Sequence, residues 1–160
     1  MSLEEVLCDL AACLCAELTP AGAVEPDLCY CDVAPGAIFA HDYSWECDDK
    51  CGAAWVRLAN GYNAEGLGIP SQNQGCGTLV GMDIEMGVIR CLEQEERGKP
   101  PTAESMRAAF NQQISDMLAI RRAVRCCEAL GDLDYLLGVY QPIGPTGMVV
   151  GGTWTITLVI

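Results

Sequence analysis

Hydrophobic positions along this chain follow two rhythms, one helical and one alternating, and the switches between them mark its elements. Leu3, Val6, Leu7, Leu10, Leu14 and Leu18 recur at helical spacing. Ser2 with Glu5 three residues later has the form of a capping box, and Thr19-Pro20 supplies the stop. Leu28 to Val33 reads as a short strand ended by an Ala-Pro-Gly turn, and Ala53 to Leu58 reads as another. Thr78 to Leu92 is a long strand with Val80, Met82, Ile84, Met86 and Val88 on one face and Asp83 and Glu85 on the other. Pro100-Pro101-Thr102 opens a second helix with Thr102 as N-cap. Met106, Phe110, Ile114, Met117, Leu118 and Val124 form its apolar series, and Gly131 is its expected stop. Tyr135 to Ile143 and Met148 to Ile160 then make a hairpin around Gly144-Pro145-Thr146-Gly147.

The order α, β, β, long β, α, β, β predicts an α+β fold. A mostly antiparallel sheet of four to five strands is packed by an N-terminal helix and one long helix, in a single domain over residues 1–160. Thr153 to Ile160 alternates polar with apolar, so this last strand needs cover, and its hairpin partner is the expected source. Residues 60–77 are rich in Gly, Asn, Gln and Ser, and their length predicts a protruding arm of the functional kind.

Composition narrows the function. The chain is 51% hydrophobic, as folded domains are, and its formal net charge is −13. That balance argues against a protein that grips phosphates, although an acidic wall repels passing DNA and keeps it mobile. No apolar run is long enough for a membrane span. Glu4 and Glu5 stand where a signal peptide carries basic residues, so synthesis in the cytoplasm is expected.

Eleven cysteines, an odd number, raise the question of metal or disulfides. Cys29-x-Cys31 with Cys47-x-x-x-Cys51 are the candidate zinc ligands, with a first spacing tighter than a zinc knuckle's. A disulfide within this set ranks ahead of zinc, and reduced loop cysteines ahead of both. Cys8, Cys13 and Cys15 lie in the first helix, Cys91, Cys126 and Cys127 read as small hydrophobes in or beside regular elements, and Cys76 lies in the loop-rich group. His41, the one histidine, with Asp42 beside it reads as a surface residue rather than half of a catalytic pair. Asp83 and Glu85 are ordinary acids of a solvated face, and Gly66-x-Gly68 lacks the lysine and helix of a phosphate loop. Arg121, Arg122 and Arg125 either complement the helix dipole or dock an acidic neighbour. No catalytic constellation emerges, so neither an enzyme nor a cofactor is expected.

The order and spacing of several short motifs resemble neck proteins of long-tailed actinobacterial phages, over residues 45–160. They are Cys51-Gly52-Ala53-Ala54-Trp55-Val56-Arg57-Leu58, Val88-Ile89-Arg90-Cys91, Pro100-Pro101-Thr102-Ala103-Glu104, Arg122-Ala123-Val124-Arg125-Cys126-Cys127, Val139-Tyr140-Gln141-Pro142-Ile143-Gly144-Pro145 and Val150-Gly151-Gly152-Thr153-Trp154-Thr155. The family they most resemble is the tail terminator. The resemblance implies a virion protein assembled in the host cytoplasm as a homohexameric ring. Such a ring caps the tail tube protein and joins a head-side connector or stopper protein, with DNA passing through unbound. It also implies that the 60–77 loop, with Gly61, Tyr62, Leu67, Ile69 and Gln72, and the strand ends near Thr78 and Leu92 make the contacts to neighbours, with Arg121, Arg122 and Arg125 as further candidates. The alternatives are another neck ring or, from a different class, a cysteine-rich metal-binding or redox module. A monomeric hydrolase would need a pocket that the sequence does not suggest.

Overall fold

The computed structural model describes residues 2–36, 46–72, 79–92, 98–146 and 148–160. Helix α1 spans Leu3–Leu18 and α2 spans Ala103–Cys126. The strands are β1 (Tyr30–Val33), β2 (Glu46–Cys47), β3 (Lys50–Cys51), β4 (Ala53–Gly66), β5 (Ile69–Pro70), β6 (Leu79–Cys91), β7 (Tyr135–Thr146) and β8 (Val149–Val159). The fold is α+β. Its main sheet has six strands in the order β1-β4-β6-β8-β7, with β5 on the free side of β4, while β2 and β3 form a separate small hairpin. Among the described residues only β1 runs parallel to its neighbour, and every other pairing is antiparallel.

Local chemistry sets the helix starts as expected. The Ser2 hydroxyl accepts the Glu5 backbone N–H, and the Glu5 carboxylate accepts the Ser2 N–H at 2.5 Å, closing the capping box. Thr102 caps α2 by accepting the Ser105 N–H at 3.1 Å. The end of α2 differs from expectation. The helix stops at Cys126, and Gly131 instead follows a separate 3₁₀ turn at Glu128–Leu130. The break comes early because Ala129 and Leu130 turn inward to complete the core, a gain that outweighs continued helix.

The core lies between one sheet face and the two helices. Leu10 and Leu14 of α1 and Ile120 and Val124 of α2 pack with Val56, Ile84, Met86, Val88, Ile156 and Leu158. Each fully buried aliphatic side chain of this kind contributes about 1.5–3 kcal/mol relative to exposure. Alternation sends Ala53, Trp55, Ile89 and Val149 to the opposite face, where Tyr30, Ala34 and Ile143 cover them. Gly87 lies under the Trp55 indole and Gly152 under the Tyr140 ring, and a Cβ at either position would overlap the aromatic atoms. The terminal strand β8 is central, paired on one side with β6 and on the other with β7, so it finds its cover within the subunit.

The largest departure from the sequence reading is β4. It runs through Gly66 rather than ending near Leu58, so residues 60–66 of the expected arm are strand, paired with Leu79 to Asp83 across a bulge at Leu58/Asn60. Ile69 and Pro70 fold back on Gly66 and Ala64. The end of that segment, residues 73–77, lies outside the described residues, as do His41, Asp42 and Cys76. Asn and Gly are poor strand formers, but pairing to β6 supplies their backbone bonds and overrides propensity.

The cysteines also depart from expectation. Cys13 pairs with Cys127, Cys15 with Cys31, Cys29 with Cys47 and Cys51 with Cys91. The four candidate zinc ligands are therefore divided among three bonds, and Cys29–Cys47 is the disulfide within the set that the sequence ranks ahead of zinc and behind reduced thiols. Of the three read as buried hydrophobes, Cys91 and Cys127 are cross-linked and Cys126 is free and exposed; in the first helix Cys13 and Cys15 are cross-linked and Cys8 is free and exposed. Among the described residues no helix is long and apolar enough to cross a membrane.

Candidate interaction surface

The character of α2 changes along its length. Its second half buries Asp116, Ala119, Ile120, Ala123 and Val124, whereas no residue from Ala103 to Ser115 is buried. The cause is the residue pattern on the inward face. Ser105, Ala108, Ala109, Gln112, Gln113 and Asp116 line a cleft of about 400 Å³ of mixed polar and apolar character, shared with Cys51, Arg90, Cys91, Leu92 and Val150 from the strands and their ends and with Asp27 and Asp49 from the loops. Polar and small inward side chains leave the apolar ones to face out.

Met106, Phe110, Ile114 and Leu118 are accordingly exposed, Phe110 by 57%. Their spacing of four residues sets them in one row roughly 18 Å long at 1.5 Å per residue. The sequence reading places all four in the apolar series of the helix, of which the structure buries Val124. Periodicity marks an apolar stripe correctly but does not say whether the chain itself covers it. The signal that could have found the stripe is the opposite face, where Ser105, Ala108, Ala109 and Gln112 are unsuited to a dry interface.

The arginines continue this surface. Arg122 gives an exposed ion pair to Glu17 of α1 at 2.6 Å, tying the helices together. Arg121 and Arg125 are exposed and make no ion pair among the described residues, one and two turns beyond Leu118. The outward side of α2 thus carries an apolar row, interleaved with exposed Glu104, Arg107 and Asn111, and arginines at its end, on a chain of net charge −13.

The second group of expected contact residues lies at one end of the sheet. Gly61 and Tyr62 are in β4, opposite Met82 and Gly81. Leu67 and Gly68 make the turn into β5, where Gly68 has φ +71° and a Cβ would stand 3.1 Å from Leu136 of β7. Ile69 and Gln72 are exposed, while Tyr62 and Leu67 are half-buried. Burial, and secondarily the Asp83 carboxylate, push the Tyr62 hydroxyl above its ordinary pKa. Gly61, Tyr62, Gly68 and Pro70 border a shallow hollow with Asn60, Asp83 and Thr157. Leu79, Val80, Leu136 and Ile160 are exposed at the same end of the strands. Of the two strand ends, Thr78 lies outside the described residues. Leu92 is 5% exposed and donates its N–H to the Met148 carbonyl at 2.7 Å, so it belongs to its own sheet and is not an open contact residue.

Two acids considered for a cation are both engaged. Glu85 accepts two guanidinium N–H bonds from Arg57 and the Trp55 indole N–H, all at 2.9 Å. Asp83 accepts the Thr157 hydroxyl at 2.7 Å and the Asn60 amide at 3.3 Å. In the cleft under α2, Asp116 is held by Arg90 and by Gln112. Compared with known proteins, the sequence matches no family model and no curated protein.

Proposed function

We propose that this chain is a structural subunit of a ring at a phage head–tail junction, of the tail-terminator kind suggested by its motifs. It caps the tail tube, joins the head-side connector and lets DNA pass without binding it. The observation that carries this reading is the row of Met106, Phe110, Ile114 and Leu118 along α2, each more than a third exposed. A second, unlike apolar region lies at the sheet end around Ile69, Leu79, Val80, Leu136 and Ile160. A ring closes through head-to-tail contacts between two different patches, which is what a chain with two such regions supports. Net charge suits a conduit wall that repels DNA. Four disulfides suit a part that serves outside the cell, where such bonds persist.

The test is native mass spectrometry and negative-stain imaging of the purified full chain. Sixfold rings that break down in Phe110→Glu support the reading. A chain that stays monomeric at high concentration, with no response to the substitution, contradicts it.

A further inference from the structure

The β2–β3 hairpin has two residues per strand, too few to hold itself in water. What fixes it is cysteine chemistry: Cys47 is bonded to Cys29 ahead of β1, and Cys51 to Cys91 at the end of β6. Glu46 is the register partner of Cys51 across the hairpin. As a result, a carboxylate oxygen of Glu46 and the sulfurs of Cys51 and Cys91 all lie within 4.8 Å of one another. Three donors from three separate strands thus lie near one another, and two are sulfur.

We propose that, once the Cys51–Cys91 bond is reduced, Glu46, Cys51 and Cys91 form a binding site for a soft divalent metal ion of the zinc class. The donor set selects the metal. Two thiolates exclude magnesium and calcium, which take oxygen ligands, and favour a tetrahedral ion with a fourth position left for water. Access is present, since Glu46 is exposed and both cysteines border the cleft under α2. The site is new relative to the Cys29, Cys31, Cys47 and Cys51 set read from spacing, because the fold sends Cys31 to Cys15 and brings in Cys91 from 40 residues away.

The chemistry balances with a dithiol reductant. The reductant gives two electrons and two protons to the Cys51–Cys91 bond, yielding two thiols and its own disulfide. The metal then binds both sulfurs as thiolates, and their protons pass to solvent. Disulfide and metal are mutually exclusive at these sulfurs, so the hairpin is clipped by one or the other according to redox state. This inference stands apart from the ring reading.

The test is titration of the reduced full chain with cobalt(II), read by its thiolate charge-transfer absorption, followed by displacement with zinc. One equivalent should bind to the reduced chain and none to the oxidised one. Cys91→Ser should abolish binding, and circular dichroism should show the variant folded. Glu46→Gln changes an exposed side chain and should weaken binding by roughly tenfold or more, at least the loss seen when an outer partner of a ligand is removed. The double variant Cys8→Ser/Cys126→Ser should bind as the unmodified chain does. Absence of uptake by the reduced chain, uptake that survives Cys91→Ser, or unchanged affinity in Glu46→Gln would each overturn the proposal.

Discussion

Arg90 of β6 and Asp116 of α2 meet in a two-pronged ion pair, with guanidinium nitrogens 2.7 and 2.9 Å from the two carboxylate oxygens. Asp116 sits where α2 leaves the core, so this pair anchors the half-helix that carries the apolar row. Gln112 adds a third bond to the same carboxylate at 3.0 Å.

The pair gives a first prediction. Asp116 is 4% exposed and Arg90 19%, so removing one partner strands the other in a poorly solvated place. Asp116→Ala should cost about 3–5 kcal/mol, measured by urea denaturation. A loss under 1 kcal/mol would mean that the pair is solvated and does not anchor the helix.

Tyr140 behaves in the opposite way. Its hydroxyl is buried with no hydrogen-bond partner among the described residues, and burial, then the nearby Asp116, push its pKa up to about 12. Tyr140→Phe should therefore leave stability unchanged or raise it by about 1 kcal/mol. The titration has a definite sign. Between the ordinary tyrosine value of about 10 and the raised value, the unfolded chain loses this proton while the folded chain keeps it. Stability should consequently fall as pH rises through that window, and fall less in the phenylalanine variant. Melting curves at stepped alkaline pH would show the difference.

The Cys13–Cys127 bond joins α1 to the segment after α2 across 114 residues. Closing so long a loop constrains the unfolded chain strongly, so replacing both cysteines by serine should lower stability by about 2–4 kcal/mol. Reversible denaturation under non-reducing conditions is the check. A loss near zero would mean that the other three bonds already impose the same constraint.

How much of this was legible beforehand depends on the range of the interaction. The Ser2–Glu5 box and the Thr102 cap are contacts between residues three apart, and both were readable. The Met82–Ile84–Met86 alternation announced a strand because its period is local. The extension of β4 through Asn60, Gly61 and Asn63 was not legible, since those residues are strand only through Asp83, Met82 and Val80 on β6. Cysteine connectivity was hidden for the same reason, with partners 16 to 114 residues apart. The apolar row on α2 was visible as a pattern, yet its exposure follows from Ser105, Ala109 and Gln112 turning inward over a cleft.

In the proposed ring another copy of the chain completes this surface. Phe110 is 57% exposed, so Phe110→Glu should change subunit stability by no more than about 0.5 kcal/mol. Sedimentation velocity of the unmodified chain and the Phe110→Glu variant, side by side over a range of concentrations, is the most direct measurement. A discrete hexamer is expected for the first and a folded monomer for the second. Identical sedimentation of the two, whether as monomers or as assemblies, would contradict it.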